Sequence, residues 1–461
     1  MKSVCVQGAG FVGSAMAVAI ASARDASGNP IYQVIAVDQD SEIGRQRTSS
    51  LGRGVFPFPC ADSKMLDALS TAHAVGNLSA STDVDVYGDA DVVIVDISLD
   101  IPFQDALPTF EMTGFEDAFR SVVSRVPSNC LILVETTVPP GTCDRLLRPI
   151  LNEELNIRGL ASDAVHLAHS FERVMPGEQY LESITHFWRV YAGCTIQAAE
   201  LCEAFLSSII DIRRYPLTRL SSTTASETAK VMENAYRAAN IAFIDEWTKF
   251  SEAVGIDLYE IIDAIRVRPT HSNIRFPGLG VGGYCLTKDP AFTPAASRQI
   301  LNCPDLQFPF SMMSLKVNQE MPLHAVGRLQ LLLDGNFDQK RILILGVSYR
   351  PGIGDTRYSP VEAFARALIK DGAEIEAYDP FISDWSEMDR QLLGKIPSPM
   401  SFDAVVFTTG HQEFKGLNLV AWLDGSQPVI LDTVNVVSKE QRERCRDLGV
   451  KIESIGRGAR L

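Results

Sequence analysis

The chain has 461 residues, which is too long for a single hydrophobic core and predicts two or three domains. Its composition, with 46% hydrophobic and 21% charged residues, is typical of a globular protein. The formal net charge of -15 argues against binding to a nucleic-acid backbone, although a local group of Arg and Lys can still bind a small anion.

Cysteine spacing and apolar runs indicate a cytoplasmic protein. Nine cysteines are scattered without a CxxC pair, which argues against a disulfide framework or a metal site and favours a reducing compartment. The first residues enter a strand pattern at once, and no apolar run approaches the roughly 18 residues that span a bilayer. We therefore expect a cytoplasmic protein that binds no metal, no membrane and no nucleic acid.

The first half of the chain predicts a doubly wound α/β domain. Short apolar runs that end in polar residues indicate buried parallel strands, namely SVCVQGAG, YQVIAVD, ADVVIVDIS and CLILVETTV. The helical stretch FVGSAMAVAIASA directly follows the first of these runs. We therefore predict a Rossmann-like domain over residues 1–205.

The middle of the chain changes to helix, and the α/β pattern then restarts. From Ser221 to about Ala253 apolar residues recur at helical spacing without Gly or Pro, which predicts one long helix entered through Ser/Thr capping residues. Further on, strands are indicated by KRILILGVSY, AEIEAYDP, FDAVVFTTGH and QPVILDTVN. We predict a central helical domain over 206–333 and a second Rossmann-like domain over 334–461.

The first strand-to-helix turn carries a dinucleotide-binding motif. In this motif glycines allow a tight turn, close approach of a pyrophosphate and close packing of helix on strand. The N-terminus of the helix adds N–H groups and a partial positive charge. The expected cofactor contacts are Gly8, Gly10, Phe11, Val12 and Gly13.

Polar residues at later strand ends extend the predicted cofactor site. Asp38 ends the second strand, where a carboxylate accepts hydrogen bonds from the adenosine ribose and favours NAD over NADP; Asp40 is the alternative. In ETTVPPGT, Thr136 or Thr137 lies where such loops face the nicotinamide. A strand end followed by a plain proline turn is the other interpretation of that segment.

A glycine-rich segment, FPGLGVGGYCLTKDP at 276–290, contains Cys285. A single cysteine is usually a small buried apolar side chain. Here it stands among glycines with Lys288 close by, and a neighbouring cation favours the nucleophilic thiolate. The segment therefore predicts a reactive thiol.

The long helix carries a polar stripe. Glu227, Lys230 and Asn234 stand at i, i+3 and i+7, so they share one helix face. A solvated surface is the ordinary explanation of such a stripe. The apolar surroundings of Asn234 indicate a buried face instead, whose polar groups need partners such as a substrate.

Two further segments place charges after predicted strands. Glu172 and Arg173 follow VHLAHS, where Glu172 can act as a base and a surface ion pair is the alternative. Arg350 and Arg357 flank the glycines of SYRPGIGDTRYSP, and guanidinium groups bind phosphate oxygens two at a time. We expect a dinucleotide at one α/β unit and a nucleotide-bearing substrate at the other.

Together these segments resemble the UDP-glucose/GDP-mannose dehydrogenase family of nucleotide-sugar dehydrogenases. The likeness covers nearly the whole chain, in the order GAGFVG, TTVPPGT, ERVMPG, ETAKVMENAYRAANIAF, PGLGVGGYCLTKDP and GVSYRPGIGDTRYSP. It implies oxidation of the C6 alcohol of a nucleotide-linked sugar to a carboxylate, with two NAD molecules consumed per sugar. It also implies a thiohemiacetal and then a thioester on the cysteine, with the bare glycines leaving room for the sugar.

The resemblance assigns roles by motif position. Cys285 is the nucleophile, Lys230 and Asn234 hold the developing oxyanion or the water, Asp289 orients water near the thiol, and Glu172 assists hydrolysis as a base. Thr137 lies near the reacting carbon. Substrate contacts are expected from Glu172, Arg173, Lys230, Asn234, Arg275, Gly282, Arg350 and Arg357.

The resemblance also implies a homodimer and a class of sugar. In such dimers the central domains pack together and a basic residue enters the neighbour's site; Arg275 is the candidate here and Arg268 the alternative. ERVMPG and GVGG…DP favour a UDP-N-acetylhexosamine, whereas the lysine in GGYCLTKD resembles UDP-glucose members, and Tyr284 stands where acetamido-sugar members more often have histidine. We expect the acetamido sugar, with UDP-glucose as the alternative.

Two rival functions remain open at this point. A two-electron dehydrogenase of the hydroxyacid type also joins a Rossmann-like domain to a helical domain, but it needs neither Cys285 nor a further α/β domain. A non-catalytic NAD sensor tolerates loss of the thiol.

Overall fold

The computed structural model describes residues 1–101 and 108–458. Contacts divide the chain into two units. The first comprises Met1–Glu233 and Ala291–Gln307, and the second comprises Asn234–Pro290 and Phe308–Leu461. The division into three domains with boundaries near 205 and 333 stays a prediction.

An eight-stranded sheet forms the centre of the first unit. Its strands are β1 (Lys2–Gln7), β2 (Tyr32–Val37), β3 (Leu78–Ser81), β4 (Val92–Val95), β5 (Leu131–Val134), β6 (His166–His169), β7 (Val190–Gly193) and β8 (Thr218–Arg219). They lie in the order β3-β2-β1-β4-β5-β6-β7-β8, and only β6 and β7 pair antiparallel among the described pairs. The order of the first six is that of a doubly wound dinucleotide-binding sheet. The four strands predicted from apolar runs are confirmed as β1, β2, β4 and β5.

Helices pack on this sheet through apolar faces. They are α1 (Phe11–Ala21), α2 (Glu42–Gly52), α3 (Ser63–Val75), α4 (Thr113–Val123), α5 (Arg148–Ile157), α6 (Tyr180–Thr185) and α7 (Ile196–Ser207). Helix α1 is buried from Gly13 to Ala21, because its small residues allow it to lie against the strands of the core.

A long helix, α8 (Thr223–Val254), follows, and the boundary between the two units falls inside it. The Ser222 hydroxyl accepts the N–H of Ala225 at 3.1 Å, which confirms the predicted capped entry. The helices that follow are α9 (Leu258–Arg266), α10 (Phe292–Gln299) and α11 (Pro309–Leu332).

The second unit contains a parallel five-stranded sheet. Its strands are β9 (Arg341–Leu345), β10 (Glu374–Tyr378), β13 (Ala404–Phe407), β14 (Val429–Asp432) and β15 (Ile452–Ser454), in the order β10-β9-β13-β14-β15. A separate antiparallel pair consists of β11 (Asp384–Trp385) and β12 (Arg390–Gln391). The helices are α12 (Pro360–Lys370), α13 (Gln412–Lys415), α14 (Leu419–Leu423) and α15 (Lys439–Asp447).

The predicted fold class is confirmed. Two doubly wound sheets and a long helix in the middle of the sequence are present, and all four strands predicted after residue 334 occur. Strand β15 was not predicted. Across the residues with described structure, no helix is both long enough and apolar enough to cross a bilayer.

Candidate active site

The glycine turn after β1 combines two packed glycines with an open one. A Cβ on Gly13 would lie 1.8 Å from the carbonyl oxygen of Gly8, so the turn and α1 can close only without a side chain there. A Cβ on Gly10, in contrast, would meet no described atom within 4 Å. Open space over a bare backbone at a helix N-terminus fits a pyrophosphate.

The N-terminal residues of α1 lie beside an aromatic surface. The rings of Phe11 and Phe58 stack with their centroids 3.9 Å apart, and the Arg47 guanidinium lies 5.5 Å from the centroid of Phe58. Val12 packs against the core of the first unit. The roles of Phe11 and Val12 as cofactor contacts stay predictions.

The two acidic candidates after β2 differ in burial. The Asp38 side chain is 12% exposed and its carboxylate lies 3.3 Å from the Arg47 guanidinium, whereas Asp40 is 67% exposed and pairs with Arg45 at 2.5 Å. A ribose needs an acceptor at the strand end rather than one in open solvent. The burial of the two side chains therefore favours Asp38 over Asp40 as the hydrogen-bond acceptor for the ribose.

The two threonines after β5 also differ. The Thr136 hydroxyl donates to the carbonyl oxygens of Ile97 at 2.8 Å and Val95 at 3.2 Å, so it joins the ends of two neighbouring strands. Because Thr136 is engaged in the fold, Thr137 is the better candidate for contact with a ligand.

Lys230 of α8 contacts Glu172 in the first unit. Both side chains are largely buried, and the Lys230 ammonium lies 3.3 Å from the Glu172 carbonyl oxygen and 3.5 Å from its carboxylate. The other carboxylate oxygen of Glu172 accepts the N–H of Val174. Arg173 forms an ion pair with Glu233, and its predicted role as a substrate contact stays a prediction.

Three charged side chains near Glu172, namely Asp96, Glu135 and Arg189, were not predicted from the sequence. Glu135 and Arg189 form a fully buried ion pair, and Arg189 also donates to the carbonyl of Ser170 at 3.1 Å. No described residue hydrogen-bonds either carboxylate oxygen of the neighbouring Asp96. Burial, with Glu135 and Glu172 adding to it, raises the pKa of Asp96 well above its ordinary value.

Glu227 fixes the loop after β5 to helix α8. Its fully buried carboxylate accepts the N–H of Gly141 at 2.6 Å and that of Cys143 at 2.8 Å. Burial raises the pKa of Glu227 to about 7, despite these two donors. The polar stripe on α8 is therefore not a solvated face, since Glu227, Lys230 and Asn234 are all buried.

Cys285 lies in a turn of the second unit that brings Asp289 close to it. The Cys285 carbonyl accepts the N–H of Asp289 at 2.9 Å and that of Lys288 at 3.2 Å. The buried Asp289 carboxylate accepts hydrogen bonds from Asn234 at 2.7 Å and from the Lys288 ammonium at 3.0 Å. The Lys288 ammonium therefore binds Asp289, whereas its predicted effect on the thiol stays a prediction.

The bare glycines before Cys285 have a packing reason. A Cβ on Gly282 would lie 2.5 Å from the Cβ of Tyr349, and a Cβ on Gly283 would lie 2.7 Å from the Tyr349 ring. Gly283 also has a φ of 85°, which side chains disfavour. The predicted role of Gly282 as a substrate contact stays a prediction.

The two arginines expected to bind phosphate differ in their surroundings. The Arg357 guanidinium binds the Asp355 carboxylate in two hydrogen bonds of 3.0 and 2.7 Å. Arg350 is solvent-exposed in the same loop. Arg350 is therefore the more accessible of the two to an anion.

Arg275 of the second unit is exposed, as is Arg268. Partial desolvation, with Arg237 and Arg266 nearby, lowers the pKa of Arg275 from its ordinary value. Three guanidinium groups close together attract an anion, which favours Arg275 over Arg268 as the substrate contact.

Domain models of one family match the chain in three consecutive segments. The NAD binding domain of the UDP-glucose/GDP-mannose dehydrogenase family matches residues 2–207, the central domain matches 224–319 and the UDP binding domain matches 343–439. The sequence-based resemblance is thereby confirmed.

Individual proteins with similar sequence or structure agree with this family assignment. A UDP-N-acetyl-D-mannosamine dehydrogenase of Pyrococcus horikoshii is 28% identical over 461 residues, covering 99% of each chain. The protein of that name from Escherichia coli K12 is 27% identical, covering 90% of this chain and 95% of its own. A solved structure of a P. horikoshii UDP-D-ManNAc dehydrogenase superposes with a TM-score of 0.83 at 26% identity, covering 99% of this chain and 100% of its own.

A UDP-glucose dehydrogenase from Pyrobaculum islandicum, 24% identical, shows the same fold with a TM-score of 0.81, covering 100% of this chain and 98% of its own. The NAD binding domain identifies the cofactor as NAD. The chain belongs to the UDP-glucose/GDP-mannose dehydrogenase family and is an NAD-dependent nucleotide-sugar dehydrogenase.

Proposed function

We propose that the protein oxidises the C6 alcohol of a UDP-N-acetylhexosamine to the carboxylate in two steps, with Cys285 as the covalent nucleophile. The observation that carries this proposal is the turn at Cys285, which holds Asp289 beside the cysteine while Asn234 and Lys288 fix the Asp289 carboxylate. The acetamido sugar is supported by the relatives named UDP-N-acetyl-D-mannosamine dehydrogenases. UDP-glucose is the alternative substrate.

The proposed chemistry assigns a task to each group. When bound, NAD supplies the hydride acceptor for each oxidation. The Cys285 thiolate adds to the C6 aldehyde, and the Lys230 ammonium stabilises the oxygen that gains negative charge. Loss of hydride from this thiohemiacetal leaves a thioester.

Hydrolysis then releases the product. Water oriented by Asp289 adds to the thioester carbon, Glu172 accepts a proton from it, and the C–S bond breaks to regenerate the Cys285 thiolate and the acid. The overall balance is one alcohol, one water and two NAD converted into one carboxylate, two NADH and protons. Glu172 is largely buried and lies 3.5 Å from Lys230, so the two groups are held at one place.

The test is the number of NADH molecules formed per UDP-N-acetylmannosamine consumed. Two supports the thioester route, one supports a two-electron dehydrogenase, and none supports an NAD sensor. Cys285→Ser is expected to form no uronic acid above about 1% of the parent rate, because an alkoxide is not available near neutral pH. Cys303→Ser, at an exposed cysteine, is the matched control. Uronic acid formed at the parent rate by Cys285→Ser contradicts the proposal.

We also propose a homodimer formed through α8. Tyr236, Phe243, Trp247 and Phe250 lie on one face of this helix and are about half exposed. A contiguous apolar stripe on a helix is typical of a surface that a partner covers. Trp247→Glu is expected to give monomers in light scattering, whereas Glu246→Lys, at an exposed neighbour, leaves the dimer intact. Entry of Arg275 into a neighbour's site and a cytoplasmic location stay predictions.

A further inference from the structure

We propose that Tyr349 is a positioning residue that couples the loop binding the substrate nucleotide to Cys285. Residues 276–290 are termed the cysteine loop, and residues 346–359 the substrate loop. The inference rests on the proposed function, because it takes Cys285 as the nucleophile, and on the predicted role of Arg350 as a substrate contact.

Tyr349 of the substrate loop lies against two consecutive glycines of the cysteine loop. Its Cβ occupies the side of Gly282 where a side chain would otherwise project, and its ring occupies the corresponding side of Gly283. The would-be Cβ of Gly282 is also only 2.8 Å from Pro360 and 2.9 Å from the carbonyl oxygen of Tyr358. Close-packed contacts of this kind transmit displacement because neither side has space to yield.

The substrate loop is anchored on both sides of Tyr349. The buried Asp379 carboxylate accepts the N–H of Val347 at 2.8 Å and that of Ser348 at 3.0 Å. Further along, the N–H of Gly352 donates to the His411 ring at 3.2 Å. The segment between these anchors contains Tyr349.

Within that segment Tyr349 directly precedes the exposed Arg350. Its own N–H donates to the carbonyl of Asp355 at 3.1 Å. An anion drawn to Arg350 therefore acts on the residue adjacent to Tyr349, while the anchored backbone limits other movements.

The packed glycines are close to the thiol along the chain. Cys285 is two residues beyond Gly283, and the Tyr349 phenol lies within electrostatic range of it. Burial raises the pKa of Tyr349 to about 12, with Asp355 and Cys285 adding to the effect. The phenol is therefore neutral at pH 7, so the ring acts on the cysteine loop through packing rather than through charge.

The experiment measures the rate at which iodoacetamide alkylates Cys285, followed by mass spectrometry, with and without saturating UDP. In the parent enzyme UDP is expected to change this rate at least fivefold. In Tyr349→Ala the change is expected to fall below twofold while UDP still binds. Direct shielding of the thiol by UDP would persist in Tyr349→Ala, so an unchanged response there overturns the inference.

Other variants separate the ring from the hydroxyl and guard against misfolding. Tyr349→Phe keeps the ring and is expected to respond to UDP as the parent does; loss of the response overturns the inference. Tyr349→Leu, which is less disruptive than alanine, is expected to respond at an intermediate level. If UDP does not bind the parent enzyme, the proposed function fails before the inference is tested, so the two failures are distinguishable.

A double-mutant cycle locates the contact. Gly283→Ala is expected to lower uronic acid formation at least tenfold, and Tyr349→Ala in the same chain is expected to restore part of it, because the clash is with the ring. Gly282→Ala clashes with the Tyr349 Cβ and with backbone, so Tyr349→Ala is not expected to rescue it. Gly278→Ala, where a Cβ meets no described atom within 4 Å, is the control. Equal rescue of both glycine variants contradicts the assignment.

Discussion

The buried Glu227 carboxylate predicts a pH-dependent difference in stability. Its pKa rises from 4.5 to about 7 on folding. Below pH 4.5 both folded and unfolded chains hold the proton. Between 4.5 and 7 the unfolded chain loses the proton while the folded chain keeps it, so this group lowers the free energy of unfolding as pH rises. The shift corresponds to about 3 kcal/mol, fully developed above pH 7.

Glu227→Gln removes this titration. The glutamine side-chain oxygen can still accept one of the N–H groups of Gly141 and Cys143, but its NH2 group then faces the other N–H. The unsatisfied N–H lowers the free energy of unfolding by about 1–3 kcal/mol at every pH. The melting temperature of the variant relative to the parent is therefore expected to rise by roughly 6–12 °C from pH 4.5 to pH 8. Differential scanning fluorimetry over that pH range measures it.

The control is Glu246→Gln, at an exposed position of the same helix. Its melting temperature is expected to follow the parent at every pH. Parallel curves for Glu227→Gln and the parent would refute the reasoning, because they would mean that Glu227 titrates alike in both states.

Two further predictions concern the site. Asn234→Asp places a second carboxylate against Asp289, so uronic acid formation is expected to fall at least 100-fold at pH 8. The rate is expected to recover as the pH falls, because the new acid then gains a proton. The pH–rate profile is compared with that of Asn234→Ala, and equal profiles would contradict the prediction. Gly13→Ala is expected to lower the melting temperature by at least about 5 °C, because its Cβ clashes with Gly8. Gly10→Ala is expected to keep the parent melting temperature but to bind NAD more weakly in calorimetry. An unchanged melting temperature of Gly13→Ala would show that the turn can relax.

Local patterns were sufficient to predict most of the fold. Continuous apolar runs such as VVIV in β4 and LILV in β5 have four buried residues each, so they stand out in the sequence. The glycine turn before α1 and the capped entry to α8 also have short-range signatures. The short strands β7 and β8 have weaker patterns and were missed.

Contacts between distant residues explain what the sequence did not reveal. Glu227 binds the N–H of Gly141 across 86 positions, and a helical spacing cannot show that partner. Asp96, Glu135 and Arg189 come together from the ends of separate strands. The acidic residue directly after β4 and the one directly after β5 were the signals in the sequence that could have indicated this group. Neither local propensity nor spacing relates Tyr349 to Gly283.

The fit between Tyr349 and the glycines of the cysteine loop has a consequence for engineering. A chimera that takes its nucleotide-recognition sheet from another dehydrogenase imports a new side chain at position 349, and the host's bare turn was shaped for this tyrosine. Segments 276–290 and 346–359 therefore form one module for transplantation and should be exchanged together when nucleotide preference is redesigned.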